Sequence, residues 1–277
     1  MLAHSNYDEA MRIHLQRLVT CSDKDVSLCF LPLTHVFERA WSYYCLTVGM
    51  RIAINVDPKD IQNTIREIRP TIMCSVPRFW EKVYSAIQDN LSKMKGIARR
   101  LAERAFVIGR RRNVEYLRAG KRVRAVGVEN GNIFPTAGAP LSDTINEFLH
   151  ICGINIVYGY GLSETTATVS CFDLVGYEFG TVGSLMPDIQ VKLGENNEIL
   201  VKGKTVMKGY YRKPEETARV FTEDGWFRTG DAGKVNEQGA LVLTERLKDL
   251  FKTSNGKYIA PQALETRLGE DKYIDQV

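Results

Sequence analysis

The stretch VYGYGLSETT, Val157 to Thr166, places two glycines around a tyrosine and a glutamate between hydroxyl residues. The residues INIV that lead into it predict a buried strand, so the polar residues would follow its carboxyl end. Ligands of open α/β sheets bind at that end of the strands. Glycine permits backbone conformations, or a close approach by a ligand, that a Cβ would prevent. The stretch therefore indicates either a ligand-binding loop or a tight strand-to-helix turn capped by Ser163.

Two later segments carry similar chemistry. TAGAPLS, Thr136 to Ser142, is a glycine-containing turn after the apolar NIF, and DGWFRTGDAG places Asp231 in a glycine-flanked turn between predicted strands. An ionised carboxylate only accepts hydrogen bonds and accepts two at once, which suits the two hydroxyls of a ribose. A carboxylate in such a turn also commonly caps the turn itself. Both interpretations of Asp231 remain open at this level.

Strands and helices alternate through the first half of the chain. The segments VSLCFL, RIAINV and TIMCSVP predict strands, whereas IQNTIREIRP and RFWEKVYSAIQDNL predict helices. A helix is also predicted from Tyr7, with Asn6 as its N-cap. Alternation of this kind predicts a mostly parallel sheet with helices on its faces.

The pattern changes after Cys171. Short β runs separated by Gly, Asn and Pro turns predict a small β-rich domain in which KPEETARVF is the one helix. A junction then leads into a helix after Pro261. We therefore predict an α/β fold with three parts: an incomplete, mostly parallel sheet layer with helices over 1–171, a small β-rich distorted barrel over 172–245, and the hinge and beginning of a C-terminal α+β domain over 246–277.

The positive charge is concentrated in one segment. The 277-residue chain has a net charge of +4, yet residues 93–124 contain twelve Lys or Arg against two acidic residues, which gives +10 there and −6 elsewhere. Such a local excess argues against a general nucleic-acid-binding protein. Met94, Ile97, Leu101, Ala105 and Ile108 recur at helical spacing, which predicts an amphipathic helix. Its charged side is either a solvated face of a packed helix or a peripheral contact with an anionic membrane.

The remaining composition is that of an ordinary soluble protein, with 44% hydrophobic and 25% charged residues. There is no apolar run long enough to span a bilayer and no signal peptide, so we expect a cytoplasmic location, with peripheral membrane association through residues 93–124 as a further hypothesis. The six cysteines are widely spaced and only four histidines are present, which indicates reduced thiols and argues against a zinc site.

Taken in order, the motifs resemble the adenylate-forming enzymes, the AMP-binding superfamily, over nearly the whole chain. The elements that match are LPLTHVFER, TAGAPLS, YGYGLSETT, GTVGSLMP, EILVKGKTVMKGYYRKPEET, GWFRTGD and RLKDLFKTSNGKYIAPQALE. LPLTHVFER and VPRFWEKVY are similar to the long-chain fatty acid CoA ligase branch. Several ordered elements are far more specific than any one short motif.

The resemblance implies a role for a residue of each motif. Tyr160 would stack on adenine, Ser163 would bond the α-phosphate, and Glu164 would hold Mg²⁺, a hard ion that prefers carboxylate and phosphate oxygens. His35 would lie at the carboxylate end of the fatty acid pocket, unless it is a satisfied histidine at a strand end. Ser163, Glu164 and His35 are thus the implied catalytic residues. The other implied nucleotide-binding residues are Gly138, Ala139, Pro140, Tyr158, Gly159, Gly161, Thr165, Asp231, Arg246 and Lys248.

For three of these residues the resemblance implies a specific position. Asp231 would accept the ribose hydroxyls, Arg246 would contact the ribose, and Lys248 occupies the hinge position where many relatives carry Asp. The implied reaction uses ATP, Mg²⁺ and coenzyme A: a long-chain fatty acid is adenylated, and coenzyme A then displaces AMP. Neither resemblance nor composition implies binding to nucleic acid.

The sequence departs from the family pattern in three places. The phosphate loop expected before MLAHSNY and the lysine of the C-terminal domain are not found, and the connection over 122–132 is shorter than in long-chain relatives. We therefore expect a central fragment of a long-chain fatty acid CoA ligase that does not adenylate by itself. Two alternatives remain: a non-catalytic nucleotide- and acyl-binding module, and a fatty acyl-AMP ligase that hands the acyl group to a carrier protein.

Overall fold

A computed structural model describes residues 1–115, 133–172, 177–249, 251–252, 258–259, 261–268 and 274. The connection over 122–132 lies outside these residues. Strands β1 (Val26–Cys29) and β2 (Arg51–Ile54) pair in parallel, as do β3 (Phe134–Thr136) and β4 (Ile156–Tyr160). Parallel bridges at Ile72 and Ser75 join the two pairs, so TIMCSVP lies where the third predicted strand was expected. The predicted parallel sheet is confirmed.

Helices alternate with these strands. Their bounds are α1 (His4–Arg17), α2 (Val36–Val48), α3 (Ile61–Ile68), α4 (Pro77–Lys93), α5 (Gly96–Gly109) and α6 (Asp143–Ile151). Buried tryptophans attach two of them to the sheet, since Trp41 of α2 and Trp80 of α4 donate from Nε1 to the hydroxyls of Ser27 and Thr136, at 2.9 and 2.8 Å. Each indole is thus buried with its one polar group satisfied.

The N-cap predicted for α1 is wrong. The helix begins at His4 after Ala3, which places Asn6 inside the first turn. The Asn6 side chain accepts from the Ala3 N–H and donates to the carbonyls of Lys204 and Val206. A partner almost 200 positions away cannot be read from local capping patterns, and the buried amide satisfies its hydrogen-bonding capacity there instead.

The β-rich half continues from the first sheet. Strands β5 (Ser170–Cys171) and β6 (Ser184–Leu185) extend β4 in antiparallel fashion. A second, antiparallel sheet has the order β10-β9-β8-β7, formed by β7 (Gln190–Leu193), β8 (Glu198–Lys202), β9 (Phe227–Val235) and β10 (Leu241–Arg246). A bridge between Ser184 and Ala240 joins the two sheets. The domain boundaries at 171 and 245 stay predictions, and the first sheet runs past residue 171 to Leu185.

The remaining described elements follow the predicted pattern. Helix α7 (Pro214–Arg219) lies within KPEETARVF, and a short pair, β11 (Phe251–Lys252) and β12 (Tyr258–Ile259), precedes α8 (Pro261–Leu268). The α/β class with a β-rich second part is confirmed. Among the described residues, no helix has the length and apolar character needed to cross a membrane.

A buried carboxyl lies beneath the loop that follows β1. Glu38 of α2 is fully buried, and its Oε2 accepts from the Leu31 N–H at 3.0 Å and from the Cys74 thiol at 3.3 Å. Its Oε1 has no hydrogen-bond partner in the described structure. Burial raises the pKa of the Glu38 carboxyl above its ordinary value of 4.5.

Glu38 should make stability depend on pH. The folded protein holds the Glu38 proton more tightly than the unfolded chain, so this stabilisation is complete below pH 4.5 and is lost as the pH rises through the raised pKa. Glu38→Gln keeps an acceptor for Leu31 but cannot ionise.

We expect urea unfolding to give equal free energies of unfolding for the native protein and Glu38→Gln in acid, and a larger free energy of unfolding for the variant above neutrality. Glu237→Gln, at an exposed turn, is the control, and a Glu38→Gln curve parallel to the native one at all pH values would contradict this account.

Candidate functional site

The centre of the site is a contact between the two sheets. The hydroxyl of Tyr160, the last residue of β4, donates to Oδ2 of Asp231 on β9 at 2.6 Å. Burial, followed by the negative charge of Asp231, raises the pKa of Tyr160 well above its ordinary value. The tyrosine is therefore a permanent donor near neutral pH. The residue is 8% exposed, so little of the ring surface is free for stacking in this structure.

Strand pairing places a cation beside the same carboxylate. Asp231 pairs in register with Arg246 of β10, and Arg246 Nε lies 3.6 Å from Asp231 Oδ1. The preceding Gly230 has a positive φ of 75° and donates its N–H to buried Glu198, which also pairs with Arg228. Asp231 lies within β9 and not in a turn between strands as predicted, and the segment that carries it is fixed from β8. Three side chains of predicted importance lie together here: Tyr160, Asp231 and Arg246.

The glycines around Tyr160 are required by the chain itself. A Cβ at Gly161 would overlap the carbonyl oxygen of Ala167, and one at Gly159 would lie 2.9 Å from the Ser170 carbonyl oxygen. Neither Gly159 nor Gly161 has a positive φ. Their role here is to let the segment after β4 fold back against β4, and this close approach shapes the loop that carries the next polar residues.

The turn at 138–141 depends on Tyr158. Its hydroxyl donates to the Ala139 carbonyl at 2.9 Å and accepts from the buried Leu141 N–H at 3.1 Å. Gly138 has a φ of 95°, a conformation that favours glycine. Gly138 and Ala139 are exposed and Pro140 is half-buried, whereas Tyr158 is buried beneath them. Tyr158 therefore shapes the turn from below, and the exposed residues present its surface.

Ser163, Glu164 and Thr165 form a single 3-10 turn after β4. Ser163 is exposed and caps no helix, while the buried Thr165 hydroxyl accepts from the Leu162 N–H at 3.0 Å. Glu164 is half-buried, and its Oε1 accepts from the hydroxyl of Tyr210 at 2.9 Å. Burial, and then this hydrogen bond, raise the pKa of Tyr210 to about 12, so the tyrosine remains the donor.

Tyr210 was not among the residues predicted from the sequence. It belongs to the quoted motif KGYYRKPEET, but nothing in that motif indicates which of its two tyrosines faces Glu164. The backbone repeats the contact, since Met207 N–H donates to the Glu164 carbonyl at 2.7 Å. Two independent bonds from one loop therefore hold the glutamate.

His35 lies apart from these contacts. It is the exposed N-cap of α2, where its Nδ1 accepts from the Phe37 N–H at 3.2 Å. A cavity of about 40 Å³ lies next to Phe37 and is also lined by Trp41, Gly159 and Tyr160. The start of α2 therefore borders the same cavity as the end of β4. Lys248 lies in a 3-10 helix after β10.

Most of the chain matches a known enzyme family. The model of the AMP-binding enzyme family matches residues 1–211. This chain belongs to that family. Over 90% of its length it is 34% identical to the protein named long-chain-fatty-acid–CoA ligase FadD15 of Mycobacterium bovis, and over 100% it is 30% identical to long-chain-fatty-acid–CoA ligase 1 of Schizosaccharomyces pombe. It spans 44% and 45% of those two relatives.

The fold of this chain is shared by solved structures of other proteins. ATP-bound MatB from Rhodopseudomonas palustris superposes with a TM-score of 0.71 at 25% identity, over 96% of this chain and 48% of that chain. The AMP-binding family is thus supported by sequence and by architecture. The individual residue roles expected from the family motifs stay predictions.

Replacing Tyr158 by Phe should destabilise the protein. The change removes the acceptor of the buried Leu141 N–H, and an unsatisfied buried donor costs about 1–3 kcal/mol. We expect a decrease of that size in the free energy of unfolding, measured by urea titration. Tyr211→Phe, at a residue that is 65% exposed, should have no effect. Equal stability of the Tyr158 variant and the native protein would mean that the hydroxyl does not hold the turn.

Proposed function

We propose that this chain carries the nucleotide-binding and acyl-binding part of a long-chain fatty acid–CoA ligase. The observation that carries the proposal is the cluster of Tyr160, Asp231 and Arg246, since it holds an ionised carboxylate beside a cation at the carboxyl end of β4. This is the end of a sheet strand where ligands bind. The names of the two relatives supply the proposed substrates: a long-chain fatty acid and coenzyme A.

The proposed reaction has two steps. A carboxylate oxygen of the fatty acid attacks the α-phosphorus of ATP, and pyrophosphate leaves. The thiolate of coenzyme A then attacks the acyl carbon, and AMP leaves with that carboxylate oxygen. Negative charge accumulates on the α-phosphoryl oxygens in the first step, so donors fixed beforehand contribute most. The exposed hydroxyl of Ser163 is the proposed donor to the α-phosphate.

In this proposal the nucleotide is bound by groups already described. Asp231 accepts the ribose hydroxyls, with Arg246 beside it, and Tyr160 both orients Asp231 and contributes its ring edge to the adenine site. Gly138, Ala139 and Pro140 form the exposed surface of the adenine pocket above Tyr158. Phe37, at the start of α2, lines the cavity next to Tyr160 and borders the proposed path of the acyl carboxylate. His35 accepts from the Phe37 N–H and is proposed to border the same path.

The residues present are compatible with Mg²⁺. Magnesium bound with a nucleotide takes one or two carboxylates, and the phosphates and water complete its shell. Glu164 is half-buried, Tyr210 donates to its Oε1, and the exposed Ser163 precedes it in the same turn. Glu164 would hold the ion, whose positive charge would offset the charge of the triphosphate.

Titration calorimetry with AMP tests the proposed nucleotide site. Asp231→Asn should weaken AMP binding about 10- to 100-fold, because hydrogen bonds to charged groups contribute about 1.5–3 kcal/mol. Asp224→Asn is the matched control, since Asp224 is an exposed aspartate of the same region that pairs with Lys192. Binding of AMP that is unaffected by Asp231→Asn would overturn the ribose assignment, and equal loss in both variants would indicate a folding defect.

The role of Glu164 is tested by the effect of magnesium on ATP affinity. We expect Mg²⁺ to strengthen ATP binding to the native chain and to have no effect in Glu164→Gln, while AMP affinity stays unchanged. The AMP measurement shows that the variant is folded, and Glu237→Gln serves as a control at an exposed site. A full magnesium effect in Glu164→Gln would place the ion on other groups.

A further inference from the structure

Helix α5 is held to the domain by one narrow face. Phe106 packs on Phe148 of α6, with ring centroids 5.3 Å apart. Gly109 lies against the backbone of Ile151, where a Cβ would not fit. In the π turn that follows, the Asn113 side chain donates to the His150 carbonyl at 3.0 Å. These contacts fix which side of the helix faces outward.

The outward side is apolar, contrary to the usual pattern of a surface helix. The residues that recur at helical spacing in the sequence do not pack inward: Ile97, Leu101 and Ile108 are 76%, 60% and 55% exposed. At about 100° per residue, these three side chains fall within about 40° of one another, on the side of the helix opposite Phe106. Three large aliphatic side chains therefore form an exposed stripe along the helix.

Arginines flank this stripe. Arg100 and Arg104 lie within about 60° of Ile97 on the same side, and Arg111 and Arg112 follow in the next turn. Within the described ranges, none of these four has a recorded ion pair, whereas Arg99 and Arg110 pair with Glu103 and Glu147. The acidic residues of α5 and its π turn, up to residue 115, are Glu103 and Glu115. The stripe thus carries uncompensated positive charge.

We propose that this outer face of α5, formed by Ile97, Arg100, Leu101, Arg104 and Ile108, docks on the surface of an anionic lipid bilayer. The aliphatic side chains would enter the boundary between headgroups and acyl chains, and the arginines would extend along their stems to lipid phosphates, which the planar guanidinium binds by two hydrogen bonds. Fourteen residues give a helix of about 21 Å, which would lie along the surface.

The charge selects lipid over a second copy of this chain. A symmetric pair of copies meeting through this face would bring the arginines of both together, and like charges across an interface are unfavourable. The stripe also lacks the tryptophan and tyrosine that anchor protein interfaces. An anionic bilayer supplies both an apolar layer and phosphates, which match the two components of the face.

Vesicle co-sedimentation of the full chain tests the proposal, with phosphatidylcholine vesicles compared with vesicles that also contain phosphatidylglycerol. We expect binding to the anionic vesicles that weakens with added salt. The triple variant Ile97→Gln, Leu101→Gln, Ile108→Gln keeps good helix formers and should lose at least about tenfold in affinity. Arg100→Gln with Arg104→Gln should lose about 25-fold, since each cation near such a surface contributes about fivefold.

Leu46→Gln with Val56→Gln is the matched control, because these residues are 65% and 92% exposed elsewhere on the surface. Equal binding to neutral vesicles, or native affinity in the triple variant, would overturn the proposal. A second result would also overturn it: the native chain binds no vesicles but self-associates in sedimentation velocity, and the triple variant does not self-associate. That result would assign the face to a second copy of the chain. Unchanged urea midpoints establish that each variant is folded.

Discussion

The hydrogen bond between the Tyr160 hydroxyl and the Asp231 carboxylate determines how the two halves of the site meet. It joins the carboxyl end of the parallel strand β4 to the antiparallel strand β9 at 2.6 Å. A hydrogen bond to an ionised acceptor is about twice as strong as a neutral one, and burial around Tyr160 strengthens it further. Arg246, paired in register with Asp231, and Glu198, which fixes Gly230, hold the acceptor in place from two other strands.

The sequence was informative where periodicity or an ordered set of motifs carried the signal. Alternating strands and helices predicted the parallel sheet, and the family motifs selected Tyr160, Asp231 and Arg246, which the structure brings together. Pairings across long separations were not accessible. Asn6 matched a helix cap but binds carbonyls near residue 205, and Tyr210 could not be told from Tyr211 without knowing which side of its loop faces Glu164. Local patterns do not encode which distant backbone groups need partners.

Helix α5 illustrates a different limit. Its apolar residues recur at the spacing of a buried stripe, yet the inward contact is made by Phe106 and Gly109. The close approach of α6 requires a glycine at position 109. Periodicity identifies an amphipathic helix but does not say which of two candidate faces is packed, because the packed face here is made by one aromatic ring and one glycine. The charge count over 93–124 was the better guide, since this segment contains the exposed arginines of α5.

Glu164 shows why this site depends on residues far from it. The loop over 203–210 binds the glutamate through the Met207 N–H and the Tyr210 hydroxyl, and it accepts the Thr166 hydroxyl at the Thr205 carbonyl. The same loop is fixed from the other side by Asn6 of α1. Because the loop bonds to both, we expect a change at Asn6 to affect the position of the Glu164 carboxylate. The carboxylate proposed to hold magnesium is therefore linked through this loop to a helix at the start of the chain, in addition to the turn after β4 that carries it.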